Sequence, residues 1–179
     1  MRKIISIIII SIITILIAIL IFLTTSGIKT DNFNSLIAEK VKEIDPKIKL
    51  KLNQVNFKLN PSNFEFEIFT LDPQLLVNEK KVDLEIIKSD LNLLDYLNNK
   101  NPISEISIIS KESNIDQFTD FINEYDFNLA RNLILKQIKK GKVKIISNIN
   151  FNENNPKNIK YIINGYVTDA EIKLPNQSK

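Results

Sequence analysis

The segment 47–59, KIKLKLNQVNFKL, contains two alternating patterns that decide the fold. Lysines alternate with Ile48, Leu50 and Leu52, and after the pair Asn53–Gln54 the apolar positions resume one residue out of step. Alternation of this kind leaves one side of an extended strand in water and makes the other side apolar. We interpret the change of phase as a β-bulge, which bends a single strand while the same side stays apolar.

The same alternation recurs along the chain, separated by turn residues such as Pro61-Ser62-Asn63. This recurrence predicts a curved, mainly antiparallel sheet. The strand patterns are FEFEIFTL at 64–71, VDLEI at 82–86, ISEISII at 103–109, KVKIISNINF at 142–151 and NIKYIINGYV at 158–167. In the second of these, Val82, Leu84 and Ile86 are expected to share the apolar side.

The charges on these strands also form a pattern. Lysines occupy the polar side of the first strand, and acidic residues occupy the polar sides of the strands expected beside it. Opposite charges on adjacent antiparallel strands stabilise the pairing and help to fix its register. We therefore expect Lys47, Lys49 and Lys51 to lie opposite Glu65, Glu67, Asp83 and Glu85.

Helical spacing of apolar residues interrupts the strands in three places. The segment 30–45 predicts an amphipathic helix with Thr30 or Asp31 as its N-cap; packing on the sheet is the preferred interpretation, and a position in the bilayer interface is the alternative. A helical turn is predicted over Leu93–Leu97. Two helical stretches are predicted between residues 115 and 139, with Gly141 ending the second. The fold class is therefore α+β, with amphipathic helices packed on the sheet.

The amino-terminal segment Ile4–Leu23 contains twenty residues without a charge, which as a helix would extend roughly 30 Å and match the hydrocarbon core of a bilayer. Arg2 and Lys3 precede it, so the positive-inside rule predicts a cytoplasmic amino terminus. A signal peptide is the alternative, but its apolar region is usually shorter. We expect residues 1–27 to be a cytoplasmic stub and membrane anchor, and residues 28–179 a periplasmic α+β domain, in a bacterial inner membrane.

The composition excludes much catalytic chemistry. The chain contains no His and no Cys, so an imidazole base, a thiolate nucleophile and the usual zinc ligands are all missing. The net charge of +3 is small and the lysines are scattered, which argues against nucleic-acid binding. We expect no catalytic residues, no bound metal, no cofactor and no enzymatic activity. Hydrophobic contact remains as the available chemistry.

Two hypotheses explain what covers the apolar side of the sheet. Either the helices close it, giving a scaffold or partner-binding domain, or part of it stays open as an apolar groove for lipid acyl chains. The second hypothesis predicts lipid contact at alternating apolar positions. The candidate lipid-binding residues are Leu50, Leu52, Val55, Phe57, Phe64, Phe66, Leu84, Ile86, Ile145, Phe151 and Ile163.

The chain resembles the amino-terminal region of the AsmA-like family, which includes TamB- and YhdP-type proteins. The resemblance lies in the basic amino end, the single span and the phrases KIKLKLNQVNFKLNP, IKKGKVKIISNINF and IINGYVTDAEIKL. It implies an inner-membrane-anchored periplasmic protein whose β-groove shelters phospholipid acyl chains and contributes to lipid transport towards the outer membrane and to envelope integrity. An envelope protein is expected as a partner at the edge strand near Ile172.

A second resemblance is to LptC-like lipopolysaccharide export proteins, which share the single amino-terminal span, the length and a periplasmic β-groove. The helices predicted between residues 115 and 139 fit that family less well. The AsmA-like interpretation is therefore preferred.

Overall fold

The computed structural model describes residues 2–124, 137–152 and 155–172. Helix α1 (Arg2–Thr25) contains the apolar stretch Lys3–Thr25, whose 23 residues are long and apolar enough to cross a bilayer. The hydroxyls of Thr14, Thr24 and Thr25 donate to carbonyl oxygens four residues earlier, at 2.9, 2.8 and 2.7 Å. These polar groups are thus satisfied within the helix, as an apolar environment requires. The predicted apolar helix is confirmed.

The remaining described residues form an open, curved antiparallel sheet with three further helices, which confirms the α+β class. Seven strands follow one another in the order β1-β3-β4-β6-β7-β9-β10, while β2 and β5 extend the sheet beside the first half of β6, and β8 pairs with β9. The strands are β1 (Ile28–Thr30), β2 (Ile48–Lys51), β3 (Val55–Asn60), β4 (Glu65–Leu71), β5 (Gln74–Val77), β6 (Lys80–Asn92), β7 (Ile103–Ser110), β8 (Ser113–Asn114), β9 (Ile138–Asn152) and β10 (Asn155–Ile172). The helices are α2 (Asn34–Ile44), α3 (Leu93–Leu97) and α4 (Ile115–Glu124).

The change of phase after Leu52 is a corner between two strands, so the predicted β-bulge is wrong. β2 pairs with β5, whereas β3 pairs with β4 and β1. The side-chain amide of Asn53 holds the corner by donating to the carbonyl oxygens of Leu71 and Asp72, both at 3.3 Å. The chain also breaks between β4 and β5 next to this corner, so that β4 pairs with β3 and β5 pairs with β2.

This corner also overturns the predicted charge pairing. Lys49 and Lys51 lie opposite Leu76 and Gln74 of β5, not opposite the acidic residues of β4. The direct opposite-charge neighbours on β3 and β4 are Lys58 and Glu67. The prediction failed because it assumed that the first alternating segment forms one strand with one neighbour.

A register shift in β6 separates Leu84 from Ile86. Leu84 lies opposite Ser110, but Ile86 lies opposite Ile109, so β6 has one extra residue at Glu85. An extra residue reverses the alternation beyond it. The prediction that Ile86 shares a side with Leu84 is therefore wrong, and Ile87 takes that place.

The helices α2 and α3 lie where the sequence predicts helices, but α2 begins later than predicted. α2 contacts β2, as expected for packing on the sheet, but its N-cap is Phe33 because Ile28–Thr30 pair with β3. The turn α3 is confirmed, and its N-cap Asn92 accepts hydrogen bonds from the backbone N–H of Leu94 and Asp95, at 2.9 and 3.0 Å.

The segment 115–139 is only partly described. Its first stretch is α4, and the second stretch, with Leu129, Leu133 and Ile134, lies outside the described residues. Ile138 begins β9. Gly141 lies inside β9 with φ 148°, and a Cβ there would come within 2.7 Å of the Val167 side chain, so close strand packing explains this glycine and the predicted helix end is wrong.

Candidate functional site: the helix-bearing face of the sheet

One face of the sheet carries helix α4, and we call it the helix-bearing face. Phe118 and Phe121 of α4 pack against a cluster that includes Leu84, Ile87 and Ile108. The register places these last two in a row that crosses six strands, since side chains directly opposite one another share a face. The row consists of Val55, Thr70, Ile87, Ile108, Ser147 and Ile163.

Alternation along each strand extends this assignment over the sheet. A second row contains Ile28, Phe57, Ile68, Ser89, Ile106, Ile149 and Tyr161, and a third contains Leu59, Phe66, Leu91, Phe151 and Ile159. The charged residues of these strands, such as Lys58, Glu67, Lys88 and Asp90, alternate with the rows and so lie on the opposite face. Across these three rows the helix-bearing face is therefore uncharged, a surface suited to hydrocarbon.

Helix α4 closes only one end of this face. We call that end distal and the other end, formed by the turns 61–64 and 93–102, proximal. Under α4 the face is sealed, since Leu84 is only 3 % exposed and contacts a buried cluster with Val77, Val82 and Phe121. Towards the proximal end, residues such as Leu59, Leu91 and Ile149 are only half-buried. The apolar face is thus closed distally and partly open proximally.

The apolar helix α1 joins the sheet from the proximal end. β1 runs from Ile28, opposite Phe57, to Thr30, opposite Val55, so the chain moves away from the proximal end as it leaves α1. Gly27 makes the junction with φ 66°, and a Cβ there would lie 2.5 Å from the Phe57 carbonyl oxygen. A left-handed residue in so close an approach has to be glycine. The open part of the face therefore lies near the end of the candidate membrane span.

The sequence-predicted lipid-binding residues fall into several environments. Leu50, Val55 and Leu84 are buried in the closed part of the fold. Half-buried positions on the helix-bearing face are occupied by Phe57, Phe66, Ile145, Phe151 and Ile163.

The other three candidates lie away from that surface. Leu52 is half-buried at the corner between β2 and β3, and Phe64 is 60 % exposed in the proximal turn. Ile86 lies on the opposite face, between Leu71 and Ile109 in the register.

Several apolar residues of the open region were missed by the sequence interpretation. They include Ile68, Leu91, Ile106 and Ile149, which lie in the second and third rows. Ile68, Ile106 and Ile149 lie in the alternating patterns FEFEIFTL, ISEISII and KVKIISNINF, whereas Leu91 lies outside all the strand patterns found in the sequence. Which of the alternating residues lie beyond α4 depends on the register between strands, and a single sequence does not contain that information.

The hydroxyls on this face are mostly engaged by the backbone. Ser89 Oγ donates to the Glu105 carbonyl oxygen at 2.8 Å, and Ser110 Oγ accepts from the Ile145 N–H at 2.8 Å. Thr70 Oγ1 is buried and makes no hydrogen bond within the described part of the chain. Among the described residues there is also no group of three or more acidic side chains that could hold a metal ion.

The perturbed titratable groups lie elsewhere. A hydrogen bond to Asp72 raises the pKa of Lys111, and a hydrogen bond to Glu85 raises the pKa of Lys144. The Lys144 side chain, next to Ile145 in β9, is on the opposite face, as is Glu85. Both ion pairs are partly exposed to solvent, so they stabilise the fold weakly, and they contribute no reactive group to the apolar face.

Comparison with models of protein families, with curated proteins and with solved structures finds no match to this chain.

Proposed function

We propose that the protein is a membrane-anchored binding protein that shelters phospholipid acyl chains on the open, proximal part of the helix-bearing face. The observation that carries the proposal is the uncharged surface of half-buried Ile, Leu and Phe side chains that α4 leaves uncovered. Full exposure of an acyl chain of about fifteen methylenes to water costs roughly 12 kcal/mol of transfer free energy, at about 0.8 kcal/mol per methylene. Contact along such a surface recovers part of this loss without any reacting group.

The location follows from the same argument. With α1 in the bilayer, the proximal end of the sheet lies next to the membrane, where acyl chains are available. With Arg2 and Lys3 on the cytoplasmic side of a bacterial inner membrane, the domain that follows α1 lies in the periplasm. In this setting an AsmA-like role in moving phospholipid towards the outer membrane, and in envelope integrity, is the specific form of the proposal. An LptC-like role with lipopolysaccharide would use the same surface.

Two neighbouring residues of β7 offer a matched test. Ile106 lies on the helix-bearing face between Ser89 and Ile149, whereas Ser107 lies on the opposite face between Lys88 and Asn148. Both are half-buried. The Ile106→Asp variant places a charge in the open apolar region, and Ser107→Asp adds the same charge outside it.

The measurement is the number of phospholipids that stay with the full chain after release from nanodiscs, counted by native mass spectrometry. We expect Ile106→Asp to retain fewer lipids than the wild type, and Ser107→Asp to retain the wild-type number. Lipids held by α1 are common to all three proteins and cancel in the comparison. Equal retention by the two variants, with both folded by circular dichroism, would exclude acyl binding on this face.

A second candidate function is partner binding through β10. In the described residues β10 pairs on one side only, with β9, and Tyr161, Ile162 and Tyr166 are exposed along it. A long strand with an unpaired edge can accept a strand from another protein. Crosslinking from single cysteines in β10 to one stoichiometric partner, in a chain that otherwise has no Cys, would support a scaffold role.

A further inference from the structure

We propose that the proximal rim of the sheet, defined as Phe64, Leu94, Tyr96 and Leu97, rests in the interfacial layer of the same bilayer that α1 spans. These four side chains are 60, 53, 64 and 74 % exposed. All four lie in the turns at the proximal end of the sheet, where α1 joins it. This inference concerns how the domain is held on the membrane, so it goes beyond acyl binding and stands even if the helix-bearing face binds no lipid.

The position of the rim follows from the junction with α1. Gly27 approaches the backbone of Phe57 and Lys58, and β3 continues only to Asn60 before the turn that contains Phe64. At about 3.3 Å per strand residue, the turn lies roughly 7–10 Å beyond the level of Gly27, on the side of the sheet from which α1 arrives. Interfacial protein segments bury their apolar side about 5–10 Å deep, so the two distances agree.

The two parts of the rim form one local unit. The Leu93 N–H donates to the Phe64 carbonyl oxygen at 3.0 Å, which ties the β3–β4 turn to the first residue of α3. α3 follows β6, which is two strands away from β3, so the rim extends about 10 Å sideways from the point where α1 joins the sheet. Both parts therefore meet the membrane surface together.

The backbone at Phe64 is the strongest sign that the rim has an external contact. Its φ is 54°, a left-handed conformation that glycine or asparagine adopts easily and a bulky residue does not. A turn selected only for folding would favour one of those residues, with a polar surface. An exposed phenylalanine in this conformation is better explained by an apolar environment outside the protein.

The composition of the two ends of the sheet supports a bilayer as the partner. The proximal turns contain Tyr96, a residue type enriched at membrane interfaces, together with uncharged polar residues such as Ser62, Asn63, Asn98 and Asn99 and one residue of each charge, Asp95 and Lys100. At the distal end the exposed surface of α4 is acidic, with Asp116 and Asp120. The proximal end of the sheet, which is nearer to the span, therefore has the composition that is more compatible with a membrane interface.

The natural chain contains no Trp, so a single introduced Trp reports on one position. We would compare Tyr96→Trp and Leu97→Trp in the rim with Ile172→Trp at the distal end of β10, where the native side chain is 57 % exposed. Each full chain is reconstituted in phosphatidylcholine vesicles, either plain or brominated on acyl carbons near the headgroup. Bromine quenches Trp fluorescence only at close contact.

We expect both rim reporters to lose intensity in brominated vesicles and to emit at shorter wavelength than the Ile172→Trp reporter, which should be unchanged by bromine. Equal intensity of the rim reporters in plain and brominated vesicles would overturn the proposal. A blue shift without quenching would also overturn it, because that result indicates a protein partner or a second copy. Lipid counts at Ile106→Asp are independent of this result, so the two proposals can fail separately.

Discussion

A matched pair of leucine truncations tests whether the helix-bearing face is closed distally and open proximally. Leu84 and Leu91 both lie in β6 on this face, opposite Ser110 and Ile103. Leu84 is buried against Val77, Val82 and Phe121, whereas Leu91 is only half-buried. The two residues therefore share the same side chain, strand and face of the sheet, and they differ in whether other residues cover them.

The expected magnitudes follow from this difference in burial. Truncation of a fully buried leucine to alanine removes its transfer free energy and leaves a cavity, so Leu84→Ala should lower the free energy of unfolding by about 3 kcal/mol. Leu91→Ala loses about half of the transfer contribution and leaves no enclosed cavity, which gives about 1 kcal/mol. A difference of about 2 kcal/mol corresponds to roughly 4–8 °C in the unfolding midpoint for a chain of this size.

The assay is thermal unfolding of the full chain in detergent micelles, followed by circular dichroism in the far ultraviolet. Leu84→Ala should unfold at the lower temperature. Added phospholipid should stabilise the wild type and Leu84→Ala by similar amounts, and Leu91→Ala by less, because a ligand that binds more weakly stabilises the folded state less. Equal losses for the two truncations would refute the inferred partial closure of the face.

Three further perturbations have defined outcomes. Gly27→Ala should destabilise the junction between α1 and β1 by more than about 1–2 kcal/mol, because it forces a left-handed alanine against the Phe57 carbonyl. The control Gly165→Ala, where the nearest contact of an added Cβ is 3.4 Å, should unfold near the wild-type temperature. Equal unfolding midpoints for the two variants would contradict the close approach at Gly27. Phe64→Asn should raise the unfolding temperature in micelles, since asparagine tolerates φ 54°, and at the same time weaken quenching of the Tyr96→Trp reporter by brominated lipid; a lower temperature would show that Phe64 stabilises the turn itself. The hydrogen bond to Asp72 raises the pKa of Lys111 above 10.5, so the contribution of this lysine to stability is fully present below pH 10.5 and is lost as the pH rises through the raised pKa. The difference in unfolding midpoint between the wild type and Lys111→Gln should therefore shrink above pH 10.5. A difference that grows there would contradict a raised pKa.

The sequence was sufficient for the elements whose determinants are local. The uncharged run before Leu23 predicts α1 by length and composition, and alternation predicts most strands. The α3 turn is likewise predicted, and Asn92 caps it through bonds to residues two and three positions later. In each of these cases the stabilising contacts lie within a few residues along the chain.

The features that were predicted wrongly depend on partners distant in sequence. The corner at Asn53 exists because β2 and β3 pair with different strands, and the amide that holds it reaches Leu71 and Asp72. The extra residue at Glu85 is defined only against β7, so alternation alone placed Ile86 on the wrong side.

The candidate site shows the same limit. Alternation identified several residues of the helix-bearing face, such as Phe66 and Phe151, from the strand patterns. It could not separate the buried Leu84 from the half-buried Leu91, because that depends on where α4 lies. Packing of a distant helix therefore decides which part of an apolar strand is left for a ligand.

Contact between phospholipid and the helix-bearing face in a bilayer tests the proposed function most directly. Ile68 and Phe69 are neighbours on β4, both half-buried, and their side chains lie on opposite faces of the sheet. The photoreactive residue p-benzoylphenylalanine is placed at each position in turn in the full chain, and covalent phospholipid adducts are measured by mass spectrometry after irradiation in vesicles. We expect adducts at position 68 and few or none at position 69; equal yields at the two positions, or adducts at 69 alone, would contradict acyl binding on the helix-bearing face.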